Sequence, residues 1–262
     1  MTFKIKFKPS FFVLAAFSFI MGAEKYFITV LVLTALHELC HVFAAGLWGL
    51  KTKGITITPI GMYSEIDGLN GLHISKRMFI AIAGPLFNLF LCLFCTGTAR
   101  NINLVLALFN LLPIYPLDGG KLLCDAAGFF FGTMRGNSFS VRVGRLLSVS
   151  VISAGVLQLV LYPPNISLLC LGIYLYKHNK LCMVRLTYDL LDTLLYKKND
   201  RILPVRQISV GEDTDIKTVF GRLDNDHFTM VHIRGKGSAL LTEERITDHI
   251  MKNGLFGKIK EL

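Results

Sequence analysis

Length, composition and charge exclude an ordinary soluble domain for most of this chain. Its 262 residues are 52% apolar and only 18% charged, whereas soluble domains average about 25% charged residues. Mean hydropathy is +0.52. Residues 1–178 carry 20 charged side chains and residues 179–262 carry 26. The first two thirds therefore have the composition of a membrane-embedded region, and the last third that of a soluble one.

The basic surplus of +10 does not indicate a nucleic-acid partner. Most basic residues before residue 178 flank apolar runs, as membrane-topology signals do. The six cysteines lie mostly inside apolar stretches, and their spacing does not suggest a secreted disulfide framework, so we expect reduced thiols that are mostly packing residues. The N-terminus resembles the start of a signal peptide, but no clear cleavage site follows, and we interpret it as a retained first span.

Six apolar runs are candidate membrane spans. They cover residues 9–22, 26–50, 78–98, 102–117, 146–162 and 165–176. Six spans bring the chain back to the side of the membrane on which it begins. If the N-terminus is cytoplasmic, the basic residues next to the spans are also cytoplasmic, except Lys25 and Arg100. We expect a multi-pass integral membrane protein with cytoplasmic N- and C-termini.

Two segments outside the spans have patterns of their own. Residues 53–67 alternate β-branched residues with threonine and predict a short cytoplasmic hairpin. The hairpin is either a solvated connection or a strand that pairs with an extended peptide. After residue 182, an amphipathic helix (183–195) precedes a small unit with strands at 207–210 and 230–233 and helices at 215–222 and 243–250.

The second span contains the sequence His37-Glu38-Leu39-Cys40-His41. Positions i and i+4 share a helix face, so both imidazoles can bind one zinc ion while the intervening glutamate acts on a water there. Three ionisable residues in one turn of an apolar span are costly and indicate a functional site. The alternative is a set of polar residues satisfied within the helix bundle.

A catalytic zinc usually takes three protein ligands. The run from Asn110 to Gly120 offers the third, because two prolines break the fourth span and two glycines allow a sharp turn at Asp118. Asp125 is a competing carboxylate beyond the turn. The topology puts Asp118 at a depth similar to that of His37 and His41.

Three motifs together resemble the site-2 protease family of intramembrane zinc metalloproteases. They are the histidine motif, Ala83-Gly84-Pro85-Leu86-Phe87-Asn88 and the segment from Asn110 to Gly120. The resemblance implies one Zn²⁺ bound by His37, His41 and Asp118, Glu38 as the catalytic base and Asn88 as a substrate-binding amide. A helix-packing role for Asn88 stays open.

The resemblance extends to the layout of the sporulation branch of that family. It implies a polytopic α-helical protein of about six spans with a small α/β cytoplasmic domain at the C-terminus. The expected domains are residues 1–178 (protease), 179–201 (helical linker) and 202–262 (similar to a cystathionine-β-synthase, or CBS, domain). The implied substrate is a membrane-associated sigma-factor precursor, cleaved near the cytoplasmic face, and the implied partners are regulatory membrane proteins and the lipid bilayer.

CBS domains often bind ATP or another adenine nucleotide as pairs, which implies self-association here. Arg245 occupies the position of the family's usual acidic ribose-binding residue, so a docking or dimerising role is the alternative to nucleotide binding. For the whole chain, the alternative to a protease is a non-enzymatic membrane regulator or metal transporter that retains a zinc site.

Overall fold

A computed structural model describes residues 4–58, 61–161, 166–196, 204–223, 227–235 and 239–262. The described residues are mostly helical, with two small sheets. The helices are α1 Pro9–Ile20, α2 Glu24–Gly46, α3 Ile74–Leu91, α4 Gly97–Asn110, α5 Asp118–Phe131, α6 Thr133–Leu161, α7 Ser167–Tyr196, α8 Ile216–Phe220 and α9 Glu243–Asn253. The strands are β1 Lys4–Phe7, β2 Thr52–Thr58, β3 Gly61–Ile66, β4 Val205–Gly211, β5 Phe228–Arg234 and β6 Leu240–Thr242.

Among the described residues, three helices are long and apolar enough to cross a membrane: α2, α3 and α6. They overlap the second, third and fifth predicted spans, and α1 is a shorter apolar helix over the first. The count of six spans stays a prediction. The predicted end of span five at Tyr162 and start of span six at Asn165 lie outside the described residues.

Helix α2 carries its buried residues on one face. They are Leu33, His37, Glu38, His41, Ala44 and Ala45, at the three- and four-residue spacings of a single helix face. Many large apolar side chains outside this stripe are exposed, including Phe43, which is 72% exposed. Polar residues inside and apolar residues outside are typical of a helix whose solvent is lipid.

The first sheet has the order β1-β2-β3 and contains the predicted hairpin. Strands β2 and β3 pair antiparallel, with Ile55 opposite Ser64, so the hairpin prediction is confirmed. Strand β1, which the sequence did not predict, pairs parallel to β2 on the other side. Strand β3 is therefore an edge strand, and it packs against α2.

The predicted break in span four is present between α4 and α5. Helix α4 ends at Asn110 and α5 begins at Asp118, with Pro113 and Pro116 in the turns between them. A side chain at Gly119 would overlap the backbone carbonyl of Leu111, so this glycine allows the start of α5 to approach the end of α4 closely. The break puts Asp118 in the first turn of α5.

Helices α6 and α7 pack through small residues. Gly144 and Gly155 of α6 are buried, and the atoms nearest to both belong to α7, since small residues allow helix backbones to approach each other. At Gly144 an added Cβ would lie 2.7 Å from Oδ1 of Asn179 on α7. Helix α6 begins 13 residues before the predicted span at 146, because its first half carries arginines that lower hydropathy without ending a helix.

Helix α7 is continuous where the sequence predicted a span followed by a linker. It includes the described part of the predicted linker 179–201, and no break occurs at residue 178. Leu190, Leu191 and Leu194 of α7 join the core of the C-terminal unit. The amphipathic pattern that indicated a separate helix thus marks the part of α7 that packs against this core.

The second sheet has the order β4-β5-β6, parallel between β4 and β5 and antiparallel between β5 and β6. Strands β4 and β5 and helices α8 and α9 confirm the two strands and two helices predicted for this region, whereas β6 was not predicted. Fully buried side chains from α8, β5 and α9, including Phe220, Val231 and Ile246, form the core with the α7 leucines. Identification of this unit as a CBS-like domain stays a prediction.

The described chain divides into two compact units. The first comprises Met1–Leu69, Lys76–Leu112 and Leu117–Gly119, and the second comprises Asn70–Ser75, Pro113–Pro116 and Gly120–Leu262. All three expected metal ligands belong to the first unit. The second unit includes α6 and α7 together with the C-terminal sheet, and the domain boundaries at residues 178 and 201 stay a prediction.

Candidate metal centre

Helix α2 presents two histidines from consecutive turns. His37 and His41 are each 5% exposed, and their Nε2 atoms lie 3.2 Å apart. The i,i+4 spacing on a continuous helix is sufficient to bring the two rings together. The sequence prediction that both imidazoles share one face therefore holds in the structure.

Asp118 completes the cluster from the first turn of α5. Its Oδ2 lies 3.1 Å from Nε2 of His37 and 3.1 Å from Nε2 of His41, and the residue is 4% exposed. The three residues form a buried group whose donor atoms lie within 4.8 Å of one another. Asp125, the competing carboxylate, is not in this group.

The three donor atoms fit a metal ion of the size and preference of zinc. Tetrahedral zinc binds its nitrogen and oxygen ligands at about 2.0–2.2 Å, which puts neighbouring ligand atoms roughly 3.3 Å apart. The three observed separations are 3.1, 3.1 and 3.2 Å. The donors thus have the spacing of one face of a tetrahedron, which leaves the fourth position for a reactant.

A hydrogen bond from His41 to α3 determines which ring nitrogen of His41 faces the cluster. Its Nδ1 lies 2.7 Å from the carbonyl oxygen of Ile80, and only a protonated Nδ1 can donate to a carbonyl. For a neutral ring, Nε2 then carries a lone pair that faces the carboxylate of Asp118. Nε2 is therefore the atom of His41 that is available to bind a metal ion beside Asp118.

Gly84 on α3 leaves room beside the two imidazoles. A Cβ added at this position would lie 2.6 Å from Nε2 of His37 and would also overlap Nε2 of His41. Any side chain here would therefore occupy the space next to both donor nitrogens. Glycine at this position of the second motif thus keeps open the space that a metal ion bound to both imidazoles would occupy.

Glu38 is bound by a residue that the sequence analysis did not single out. Its Oε1 accepts a hydrogen bond of 2.6 Å from the backbone N–H of Ser64 and another from the Ser64 hydroxyl. Ser64 lies on the edge strand β3, 26 residues further along the chain. The only sequence signal was its position in the predicted hairpin, which gave no reason to pair it with Glu38.

Asn88 lies one helical turn after Gly84 on α3. It is fully buried, and neither its Oδ1 nor its Nδ2 has a hydrogen-bond partner among the described residues. Buried amides are normally paired, and a packing amide would bond to a neighbouring helix. The unmet donor and acceptor match what the backbone of an extended peptide offers.

Peptidases are among the known proteins to which this chain is similar. A profile described as Peptidase family M50 matches residues 25–100 and 96–151. A zinc metalloprotease of Methanocaldococcus jannaschii is 28% identical over 166 residues, which are 57% of this chain and 47% of that protein. Stage IV sporulation protein FB of Bacillus subtilis is 29% identical over 134 residues, 46% of each chain. The chain thus spans about half the length of these relatives.

A solved structure is similar as well. The site-2 protease from Methanocaldococcus jannaschii aligns with a TM-score of 0.52 and 25% sequence identity, over 69% of this chain and 90% of that one. The matched profile includes all three donor residues, Glu38 and Asn88. Residues 25–151 of the chain, about half of its length, therefore match peptidase family M50, and the fold is similar to that of a site-2 protease.

Proposed function

We propose that this protein is a zinc metalloendopeptidase that cleaves a membrane-associated regulatory protein near the cytoplasmic face of the bilayer. The observation that carries the proposal is the buried group formed by His37, His41 and Asp118, with Glu38 on the same face of α2. The match of residues 25–151 to peptidase family M50 supports a peptidase. The zinc metalloprotease name of a relative supports the choice of metal.

Each residue of the site has a defined part in hydrolysis. A zinc ion held by His37, His41 and Asp118 would supply Lewis acidity and lower the pKa of water toward neutrality. Glu38 accepts the proton of the attacking water and returns it to the leaving amine as the peptide bond breaks. Asn88 binds the backbone of the substrate through its unpaired amide. Burial strengthens each of these interactions because the local dielectric constant is low.

The proposed substrate is a sporulation sigma-factor precursor. The similarity to stage IV sporulation protein FB of Bacillus subtilis supports a sporulation role, and the cytoplasmic topology expected from the basic residues puts the site within reach of such a substrate. The edge strand β3, beside Glu38, offers backbone groups for pairing with an extended segment. A helical substrate would first have to unwind there.

We also propose a multi-pass topology with both termini in the cytoplasm. Regulatory membrane proteins restrain the enzyme, and the C-terminal CBS-like unit docks substrate or mediates self-association. Arg245 is exposed on α9, where the resemblance places an acidic residue for nucleotide binding. We therefore assign docking or self-association, rather than nucleotide binding, to that unit.

Co-expression with a tagged sigma-factor precursor tests the proposal. The wild type is compared with Glu38→Gln, and with Glu24→Gln as a matched control at the start of the same helix. We expect a shorter product with the wild type and with Glu24→Gln, and none with Glu38→Gln. A product that persists in Glu38→Gln would overturn the role of Glu38 and the assigned mechanism.

A second assay separates the protease from a metal transporter or non-enzymatic regulator. Purified protein in sealed vesicles is tested for zinc uptake, using the wild type and Asp118→Asn. Uptake that depends on Asp118, without cleavage of the precursor, would favour a transporter. Zinc binding without transport and without cleavage of any membrane-tethered substrate would favour a regulator.

A further inference from the structure

The contact between Ser64 and Glu38 joins the hairpin to the proposed catalytic base. The backbone N–H and the hydroxyl of Ser64 both donate to the same carboxylate oxygen, Oε1. Ser64 is partly buried and Glu38 is 9% exposed, so water screens this interaction only weakly. Two donors on one oxygen hold the carboxylate in one orientation.

The position of β3 explains why its backbone reaches Glu38. In an edge strand, every second N–H points away from the neighbouring strand and needs another partner. For Ser64 that partner is Glu38, because β3 packs against α2. The hydroxyl of Ser64 donates to the same carboxylate. Glu38 therefore provides the acceptor that the outward N–H of Ser64 needs, and the two bonds together orient the carboxylate.

The second carboxylate oxygen is left for proton transfer. Within the part of the chain that the structure describes, the hydrogen bonds of Glu38 all involve Oε1. A base held through one oxygen presents the other with a fixed direction, which is the arrangement of activated catalytic groups in general. The backbone N–H alone would hold Oε1 less firmly, since a single bond allows the carboxylate to rotate.

We infer that Ser64 is a positioning residue that orients Glu38 for proton transfer, so that Oε2 is the oxygen that takes the proton. The inference rests on the proposed peptidase function, because it gives Ser64 a part in that reaction. It differs from a substrate-binding role for the Ser64 hydroxyl, in which its loss would affect the affinity for the peptide rather than the rate of the bound complex.

Steady-state kinetics distinguishes these two roles. Ser64→Ala, Ser64→Thr and the wild type are assayed on the tagged sigma-factor precursor, with zinc content measured on the same samples. We expect Ser64→Ala to lower kcat roughly 10- to 100-fold, with KM within about twofold and zinc content unchanged. Ser64→Thr keeps the hydroxyl on a β-branched side chain suited to a strand, and it should recover most of the rate.

The matched control is Thr58→Val in the same hairpin. The Thr58 hydroxyl donates to the carbonyl oxygen of Gly61 at 2.8 Å, so its loss perturbs the hairpin without removing a contact of Glu38. We expect kcat to stay near the wild-type value. A kcat loss as large as that of Ser64→Ala, or an effect of Ser64→Ala on KM alone, would overturn the inference.

A thermal double-mutant cycle tests the contact without any cleavage assay. Melting temperatures of the zinc-free protein are compared for the wild type, Ser64→Ala, Glu38→Ala and the double variant. Because the hydroxyl acts through Glu38, we expect Ser64→Ala to lower the melting temperature by roughly 2–4 °C in the wild type and by less than 1 °C when Glu38 is absent. Equal shifts in both backgrounds would contradict the inference. If Glu38→Gln cleaved the precursor while this cycle showed coupling, the proposed mechanism would fail and the contact would stand.

Discussion

Nδ1 of His41 donates to the carbonyl oxygen of Ile80, so α3 fixes the orientation of an imidazole carried by α2. The remaining nitrogen of that ring then faces His37 and Asp118. A second helix thus determines which atom of the histidine is available to a metal. This is the outer-shell arrangement that tunes histidine ligands in metal sites generally.

Gly84→Ala should remove the metal while the fold persists. The added methyl group would overlap Nε2 of His41 and lie 2.6 Å from Nε2 of His37, so it competes with the ion for space. We expect zinc content to fall at least tenfold after dialysis, as measured by atomic absorption. Gly46→Ala, which has open space around its Cβ position on α2, is the control and should retain zinc.

Asp118→Asn should weaken zinc binding, and Asp125→Asn should not. Asp118 supplies the one negative charge among the three donors, and loss of that charge removes much of the attraction for a divalent cation. Titration of the apoprotein against a competing chelator measures the change, which we expect to exceed tenfold for Asp118→Asn. A larger loss in Asp125→Asn would show that the competing carboxylate is the ligand.

Asn88→Ala should act on substrate binding. The buried amide lacks a partner among the described residues, so it contributes little to the stability of the free protein. The substitution removes up to two hydrogen bonds to a bound peptide. We expect KM to rise roughly tenfold, since one or two hydrogen bonds contribute about 0.5–1.5 kcal/mol each, with zinc content unchanged. Asn103, also buried but bonded to the carbonyl oxygen of Ala99, provides the control variant Asn103→Ala, for which we expect KM to stay near the wild-type value.

The cluster of His37, His41 and Asp118 could be predicted from sequence because each part depends on a local rule. Helical spacing brings His37 and His41 together, and the prolines and glycines around Asp118 break the helix at that residue. Contact between Ser64 and Glu38 follows no such rule. It depends on the register of β3, in which a slip of one residue would turn Tyr63 or Glu65 toward α2 instead.

The extent of α7 shows a second limit of prediction from the sequence. Hydropathy falls after Tyr176 because Lys177 and Lys180 follow, and the sequence analysis ended a span there. Hydropathy reports composition, whereas a helix ends where a proline, a glycine or a cap stops it. None occurs between 177 and 196, and α7 continues through this range.

Gly144→Ala should destabilise the packing of α6 against α7. The new Cβ would lie 2.7 Å from Oδ1 of Asn179, and moving that side chain would break its hydrogen bond of 2.8 Å to the carbonyl oxygen of Val141. An unpaired buried amide costs about 1–3 kcal/mol, which should appear as a lower melting temperature in detergent. Gly128→Ala, where the nearest atom is 3.7 Å away, should melt like the wild type.

Acid should weaken the C-terminal unit through Asp213. Hydrogen bonds from Lys260 and Lys258, at 2.9 and 3.0 Å, lower the pKa of this carboxyl group from 3.8 to about 2. Because the folded protein favours the ionised form, the stabilisation is fully present above pH 3.8 and is lost as the pH falls toward 2. Melting temperatures of the wild type and Asp213→Asn should therefore differ at pH 6 and converge between about pH 4 and pH 2.

Salt provides an independent check on the same ion pairs. Asp213 is exposed, so 1 M salt should screen the attraction and reduce the difference between wild type and Asp213→Asn at pH 6. Asp248→Asn, an exposed position on α9, is the matched control and should follow the wild type at every pH. If Asp213→Asn instead melted like the wild type at pH 6 and low salt, the lysine contacts would contribute nothing to stability, and the acid sensitivity of this unit would have to arise elsewhere.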